Sequence, residues 1–283
     1  MSKNIFVYVE AAEGKAKNVG LEILTPARVA ADGGEVTAVV IGNGVEESAK
    51  QAIAFGADKV IAVDDAQYAT YNTDAYANAL VELVKKYNPN AVFVGATPDG
   101  KDFAPVAAAK LGSGCVANVT GVAVEDGKIV YTSPVYAGAI LNDAVCESDV
   151  EFAVLRSGAF KKAEPDEAKA GEIIAEPITC AADAIRAKVV DVVKEISETV
   201  NLEEADVIVA GGRGVGSAEN FAILKELADA LGGVIGATRA PIEAGWISRS
   251  VSQARALLPS FTSLAVSQVL HSMLQVSQVL TIS

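Results

Sequence analysis

Short apolar runs alternate with amphipathic segments over residues 1–190. The apolar runs predict strands at Asn4–Val9, Glu35–Ile41, Lys59–Val63 and Ala91–Gly95. Apolar residues recur at three- and four-residue steps in the segments between them, which predicts helices at Asn18–Asp32, Glu46–Phe55, Asp74–Tyr87 and Phe103–Leu111. Pro26 indicates a kink or a later start of the first helix. This alternation predicts a parallel sheet that helices cover on both faces.

The pattern then becomes richer in strands. Four further strands are predicted, at Val116–Glu125, Lys128–Tyr131, Ala137–Val145 and Glu151–Leu155. We expect them to form a β extension of a first domain over residues 1–190. Phe160–Thr179 is rich in Lys and Glu and is expected to be an exposed connection, whereas Ala187–Glu198 is predicted as a strand or edge segment.

A second β–glycine turn–α–β unit follows. It has a strand at Ala205–Ala210, a helix at Ala218–Leu231 and a strand from Val234. The turn between the first two elements, Gly211–Gly216, has the geometry that holds anionic phosphates, and Arg213 would add a charged donor. Its glycine spacing is not GxGxxG, so a purely structural tight turn stays open.

A second loop with polar side chains follows the strand at Ala91–Gly95. α/β sheets bind ligands at the carboxyl ends of their strands, which is where Thr97–Asp102 lies. Lys101 and Asp102 would contact a ligand there or cap the following helix, and capping is the favoured interpretation.

Composition excludes several classes of function. The net charge of −13 makes nucleic acid a poor partner, and no apolar run reaches the ~20 residues of a membrane span. The N-terminus leads directly into a strand without a leader-like pattern, which predicts a cytoplasmic protein. Cys115, Cys146 and Cys180 lack metal-site spacing and are expected to be small buried thiols. The only histidine, His271, has no triad partner in sequence.

Several spaced motifs, taken together, resemble those of electron-transfer flavoprotein alpha subunits. They are Gly95–Thr97 with Gly100–Asp102, Tyr136–Gly138, Leu155–Phe160, Ala210–Gly214, Gly236–Ala240 and Glu243–Trp246. Their order and spacing fit over residues 1 to 246, which is far more specific than one glycine turn.

The resemblance implies an architecture and a role. It implies an N-terminal parallel-sheet, nucleotide-hydrolase-like α/β domain with a β extension, which docks a beta subunit. A second, Rossmann-like domain, of which residues 195–250 are the start, would carry FAD. The protein would relay electrons from acyl-CoA or other dehydrogenases to an acceptor, without bond chemistry by its side chains.

The resemblance also assigns cofactor-binding residues: Arg213, Gly214, Thr238 and Arg239. Arg213 would lie near the isoalloxazine ring and favour its reduced anion. Thr238 stands where the family usually has Ser, and its hydroxyl would still donate to the flavin. Arg239 would face the phosphate or ring region, with a surface ion pair as the alternative.

The chain departs from the family after Trp246. The family continues with QVGQTG-like, LYIA and GISGA-x-QH segments, and none is written here. Residues 247–283 contain no Gly, Lys, Asp or Glu. Yet the frame made of each codon's last base and the next codon's first two permits QLYIACGISGATQH over Pro259–Ser272. We therefore expect an anomalous, out-of-frame tail over 251–283, with the frame change near Val251, an incomplete second domain and weak FAD retention. A low-complexity tail is the alternative.

Two other functions stay open at this point. One is an NAD-dependent oxidoreductase, against which stand the missing GxGxxG and ribose-binding acid. The other is a non-redox scaffold whose first domain only docks a partner.

Overall fold

The computed structural model describes residues 2–190, 205, 207–248 and, by backbone alone, 262–266. The chain divides into two compact units, Met1–Asp191 and Val192–Ser283. Each unit is described by itself below.

The first unit is built on a seven-stranded sheet in which every neighbouring pair is parallel. Its strands are β1 (Ile5–Tyr8), β4 (Val36–Gly42), β5 (Lys59–Asp64), β6 (Ala91–Gly95), β7 (Cys115–Val119), β11 (Glu151–Leu155) and β12 (Glu172–Ala175). The order across the sheet is β12-β5-β4-β1-β6-β11-β7. The predicted α/β class is confirmed.

Five helices pack on this sheet: α1 (Asn18–Glu22), α2 (Leu24–Ala31), α3 (Glu46–Ala54), α4 (Thr73–Tyr87) and α5 (Pro98–Lys110). Two large clusters of buried apolar residues result, because alternate side chains of β1 point to opposite faces. The predicted first helix is two helices that meet at Ile23. Pro26 lies in the first turn of α2, where its missing N–H costs no intrahelical hydrogen bond.

The predicted start of α5 was wrong. Thr97 is its N-cap, and the Thr97 hydroxyl accepts a hydrogen bond from the Gly100 N–H at 2.9 Å. Lys101 and Asp102 therefore lie inside the helix, and neither caps it. Asp102 instead accepts hydrogen bonds from the hydroxyls of Tyr71 (2.7 Å) and Thr73 (2.5 Å). Pro98 suits the first helical position because its φ is already helical. The sequence Pro–Asp–Gly is also typical of a turn, and the helix was therefore predicted to start later.

The β extension is smaller than predicted. A three-stranded antiparallel sheet forms from β8 (Gly121–Glu125), β9 (Lys128–Val135) and β10 (Ile140–Ala144). The predicted strand Val116–Glu125 is split by Thr120 into β7 and β8, and β7 and β11 join the parallel sheet instead. A short hairpin, β2 (Ala11–Ala12) with β3 (Lys15–Ala16), follows β1.

The charged connection Phe160–Thr179 contains β12, which pairs with β5 as the edge strand of the sheet. Its side chains are mostly exposed, so its composition resembles that of a loop. Residues 187–190 form no regular element, and the rest of the predicted segment Ala187–Glu198 lies outside the described residues.

The second unit has a three-stranded parallel sheet in the order β14-β13-β15. Its elements are β13 (Val207–Gly211), α6 (Phe221–Ala230), β14 (Val234–Ala237), α7 (Arg239–Glu243) and β15 (Thr262–Val266). A small core forms between β13 and α6 around Val209, Phe221 and Leu224. β15 falls within the tail predicted to be anomalous. The remainder of that tail beyond residue 248, His271 included, lies outside the described residues.

Candidate functional site

The residues predicted to bind a cofactor meet at the carboxyl edge of β13 and β14. The two strands are paired in register from Ile208 opposite Val234 to Gly211 opposite Ala237. Beyond that pairing the Thr238 N–H donates to the Gly211 carbonyl at 2.9 Å, so the two loops leave the sheet side by side. Parallel strands place their carboxyl ends at one edge, where α/β folds bind ligands.

A single turn of 3-10 helix, Arg213–Val215, follows β13. The Val215 N–H donates to the Gly212 carbonyl at 3.1 Å, and the buried Val215 side chain packs into the small core. Gly216 then has φ +85°, a left-handed conformation that suits glycine. The Asn220 side-chain amide donates to the Val215 carbonyl at 2.7 Å and closes the turn. The glycines thus form a tight turn, which is compatible with both interpretations that the sequence left open.

The helix after this turn begins later than predicted. α6 starts at Phe221 rather than Ala218, because residues 218–222 form turn-like bonds such as the Phe221 N–H to the Ala218 carbonyl at 3.2 Å. The glycine turn and the N-terminus of α6 are therefore separated by residues 217–220.

Arg213, Gly214, Thr238 and Arg239 are all exposed at this edge. Thr238 is the N-cap residue of α7, and its hydroxyl lies 3.7 Å from the point where a Cβ on Gly212 would stand. The Arg239 Nε lies 2.5 Å from Glu243 Oε1, one helical turn away. The surface ion pair foreseen for Arg239 is therefore present.

This donor set fits an anionic, carbonyl-rich ligand. One hydroxyl and two guanidinium groups face solvent on adjoining loops, and Gly212 leaves the space between them open. Guanidinium groups bind phosphates in two-pronged fashion, and hydroxyls donate to ring carbonyls or nitrogens. The residues present thus suit a nucleotide such as a flavin dinucleotide.

A second cavity, of about 550 Å³, lies in the first unit and escaped sequence analysis. It opens at the carboxyl ends of β1, β4 and β6, where Glu10, Asn43 and Asp99 line it. Four tyrosines form its aromatic wall: Tyr8, Tyr68, Tyr71 and Tyr76. The only sequence signal was the loop after β6. Lys101 and Asp102 were the residues predicted to contact a ligand or cap a helix there, whereas the residue that lines the cavity is Asp99.

Cysteine and metal chemistry find no support in the described residues. Burial raises the pKa of the Cys115 thiol to about 11 and also raises that of Cys146, and Cys180 is buried. Thiols with raised pKa values are poor nucleophiles. No group of three or more His, Cys, Asp or Glu side chains could hold a metal ion within the part of the chain that the structure describes.

Comparison with known proteins identifies the family. The electron transfer flavoprotein domain model matches residues 5–180, and the electron transfer flavoprotein FAD-binding domain model matches residues 201–253. The chain belongs to the electron-transfer flavoprotein alpha-subunit family.

Curated relatives in this family cover most of the chain. It is 42% identical to an electron transfer flavoprotein subunit alpha of Thermoanaerobacterium thermosaccharolyticum over 87% of this chain and 76% of that protein. The subunit alpha of Megasphaera elsdenii is also 42% identical, over 87% of this chain and 75% of that protein. An acryloyl-CoA reductase electron transfer subunit beta of Anaerotignum propionicum is 31% identical over 87% of this chain and 76% of that protein.

Membership of the electron-transfer flavoprotein family settles the coarse role. The relatives are electron-transfer proteins, which agrees with a role outside bond chemistry and disfavours the oxidoreductase and scaffold alternatives. Within the described residues, no helix has the length and apolar character to cross a bilayer. The FAD-binding-domain match ends at residue 253, close to where the sequence was expected to depart from the family.

Proposed function

We propose that this chain is the alpha subunit of a heterodimeric electron-transfer flavoprotein that holds FAD at the β13–β14 edge. It would relay electrons from acyl-CoA or other dehydrogenases to an acceptor, in the cytoplasm. The observation that carries the proposal is the convergence of Arg213, Gly214, Thr238 and Arg239 on one edge of a parallel sheet. The FAD would supply reversible uptake of electrons, and the residues only bind it and set its environment.

Each residue has a distinct task at this edge. Arg213 places a positive charge beside the ring system and so favours the reduced, more negatively charged cofactor. The Thr238 hydroxyl donates a hydrogen bond to the ring, and Gly214 keeps the turn free of a side chain. Arg239 binds phosphate, in competition with its ion pair to Glu243.

Titration of the purified protein with FAD tests these tasks. Arg213→Gln should weaken binding about tenfold and lower the reduction potential of the bound flavin, because a charged hydrogen bond is lost. Lys225→Gln is the matched control, since Lys225 is an exposed cation on α6 paired only with Asp229 among the described residues. Equal effects of the two substitutions would remove Arg213 from the site.

The written tail bears directly on cofactor retention. Extended upstream, the shifted frame permits QVGQSGKSVAP from Ser248 to Leu258, continuous with QLYIACGISGATQH from Pro259. The second and third bases of every shifted codon are the first two bases of the next written codon, so the written residue fixes them. Only Ser, Leu and Arg leave a choice, because each has two sets of codons with different first bases. The shifted frame is therefore permitted from Ser248 onward, slightly upstream of Val251, whereas the FAD-binding-domain match in the written frame continues to residue 253. The described strand β15 does not decide between the two frames, since its residues, Thr-Ser-Leu-Ala-Val, and their shifted counterparts, Ile-Ala-Cys-Gly-Ile, both lack charged side chains and can both form a strand.

Two experiments resolve the tail. The nucleotide sequence of the gene either contains these codons in the shifted frame or it does not, and their absence would refute the frame change. Expression of the written chain beside a frame-restored chain should show stoichiometric flavin absorbance in the restored chain only. Equal flavin content would show that the written tail does not impair the site.

A projecting hairpin in the first unit supports docking of a beta subunit. Val135, Tyr136, Ile140 and Leu141 surround the tip that joins β9 to β10, and they are 36%, 81%, 53% and 66% exposed. Ile140 and Leu141 are neighbours on one strand and point to opposite faces, so both faces of the tip are apolar and open. Exposed apolar patches of this kind mark protein interfaces.

Co-expression with a beta subunit tests the partner and separates the alternatives. Leu141→Asp should abolish co-purification of the beta subunit, whereas Val29→Asp, at another exposed apolar position, should not. With the frame-restored chain, a partner without flavin absorbance would support the scaffold function. Nicotinamide binding with neither partner nor flavin would support an oxidoreductase. Reduction of the bound flavin by an acyl-CoA dehydrogenase tests the electron donor.

A further inference from the structure

The cavity at the carboxyl ends of β1, β4 and β6 is not used by the proposed flavin function. It lies where the strand order reverses: β4 lies on one side of β1 and β6 on the other. Small ligands of α/β proteins bind in the crevice at such a switch point. Its volume of about 550 Å³ falls within the range of small-molecule sites.

One buried polar atom in this cavity lacks a partner. The Glu10 side chain is 8% exposed, and its Oε1 pairs with Lys17 Nζ. Its Oε2 has no hydrogen-bond partner among the described residues. Leaving a buried carboxylate oxygen unsatisfied costs free energy, so such an atom marks a place where a donor is expected.

A second carboxyl group faces the same space. Asp99 lines the cavity, and its pKa is raised by burial first and then by Glu10. A hydrogen bond to Glu10 is among the causes that raise the pKa of Asp99, so protonated Asp99 donates to Glu10; with both groups ionised, Glu10 Oε2 has no donor. An arriving cation would relieve both the missing donor and the repulsion.

The lining excludes the ligands usual at this position. Glu10, Glu13 and Asp99 outnumber the single cation Lys17, so a phosphate group would be repelled. The segment after β1 lacks the glycine-rich sequence that cradles phosphates. The described residues also provide no three-ligand set for a metal ion.

The aromatic wall suits an organic cation. The hydroxyls of Tyr68, Tyr71 and Tyr76 donate to Ile178, Asp102 and Tyr68 respectively, which fixes their rings. Tyr8 makes no hydrogen bond through its hydroxyl with any described residue, so this oxygen can accept one from a ligand. Tyrosine rings attract cationic groups and pack against carbon chains.

We propose that this cavity binds a small organic ammonium ion, with its N–H groups on Glu10 Oε2, Asp99 and the Tyr8 hydroxyl. The carbon body of the ligand lies against the rings of Tyr68, Tyr71 and Tyr76. The site is separate from the flavin edge and does not depend on the proposed electron-transfer function.

Phenethylammonium and its neutral isostere 2-phenylethanol are suitable probes. Calorimetric titration of the full chain should show saturable binding of the amine at millimolar concentration and at least tenfold weaker binding of the alcohol. Equal binding of the two probes, or no saturable binding of the amine, would overturn the proposal.

Two substitutions locate the site. Glu10→Gln and Asp99→Asn should each weaken amine binding about tenfold or more, whereas Glu47→Gln, an exposed position on α3, should leave it unchanged. Glu10→Gln also deprives Lys17 of its partner, so Asp99→Asn is the decisive variant: it should bind the amine less well while the free protein melts no lower. Undiminished amine binding by Asp99→Asn refutes the site.

Discussion

Two strand-carboxyl edges of this chain occupy the same topological position and have opposite chemistry. At the first, β1, β4 and β6 end in a half-open, acidic, tyrosine-lined cavity. At the second, β13 and β14 end in exposed loops that carry two arginines and a threonine. The parallel sheet thus provides the position, and only the loop residues decide the sign of charge that a ligand must carry.

Backbone crowding is the sharpest difference between the edges. A Cβ on Gly100 would stand 2.1 Å from the Gly95 carbonyl oxygen, whereas one on Gly212 would stand 3.7 Å from Thr238 Oγ1. Gly100→Ala should therefore destabilise the first unit by about 3 kcal/mol. Gly212→Ala should cost the second unit less than about 0.5 kcal/mol.

Denaturant unfolding can follow the two units separately. All seven tyrosines lie in the first unit and the only tryptophan, Trp246, lies in the second, so tyrosine emission reports on the first unit and tryptophan emission on the second. Equal costs of the two substitutions would show that the edges are equally crowded.

The arginine edge should select anions. Pyrophosphate binding by the full chain, measured by calorimetry, should weaken about tenfold in Arg239→Gln, the residue assigned to phosphate, and less in Arg213→Gln, the residue assigned to the ring system. Asp99→Asn should leave pyrophosphate affinity unchanged. A larger loss from Arg213→Gln would reverse the assigned tasks.

The acidic edge should respond to pH. The pKa of Asp99 is raised in the folded state, first by burial and then by the charge of Glu10. Asp102 raises this pKa further, and Lys17 lowers it. The folded state then holds the proton more tightly, so this residue lowers stability as pH rises past its ordinary pKa. Asp99→Asn should raise the melting temperature by a few degrees, about 2 °C, at neutral pH, and the gain should vanish in acid. A pH-independent gain would exclude this cause.

The smallest effect concerns the ion pair on α7. Glu243→Gln frees the Arg239 guanidinium and removes a nearby negative charge, so pyrophosphate affinity should rise about twofold. The effect should shrink at high salt, since the pair is exposed. Glu226→Gln, an exposed carboxylate on α6, is the control. An equal rise in both variants would indicate net charge alone.

Local hydrophobic patterns predicted much of the fold, because buried strands such as Val36–Gly42 are nearly continuous apolar runs. Sequence analysis failed where long-range pairing decides. β11 and β12 join the parallel sheet through partners distant in sequence, and β12 is an edge strand whose exposed side chains conceal it.

The two sites differ in the same respect: one is visible in the local sequence, and the other depends on long-range strand pairing. The arginine edge follows from a contiguous glycine turn and a second short motif, both visible in one stretch of sequence. The cavity needs Glu10 after β1 and Asp99 after β6, and no periodicity links these two residues. Only the order of strands, with β1 and β6 adjacent, brings them together.

The hydrogen bond from the Thr238 N–H to the Gly211 carbonyl has a kinetic consequence. It joins the loop carrying Arg213 to the loop carrying Arg239, which favours a fixed distance between the two. A ligand that docks on either loop finds the other already in place, and little ordering entropy remains to be lost on binding. Association at this edge should therefore be a single step, without a slow closure phase in stopped-flow traces.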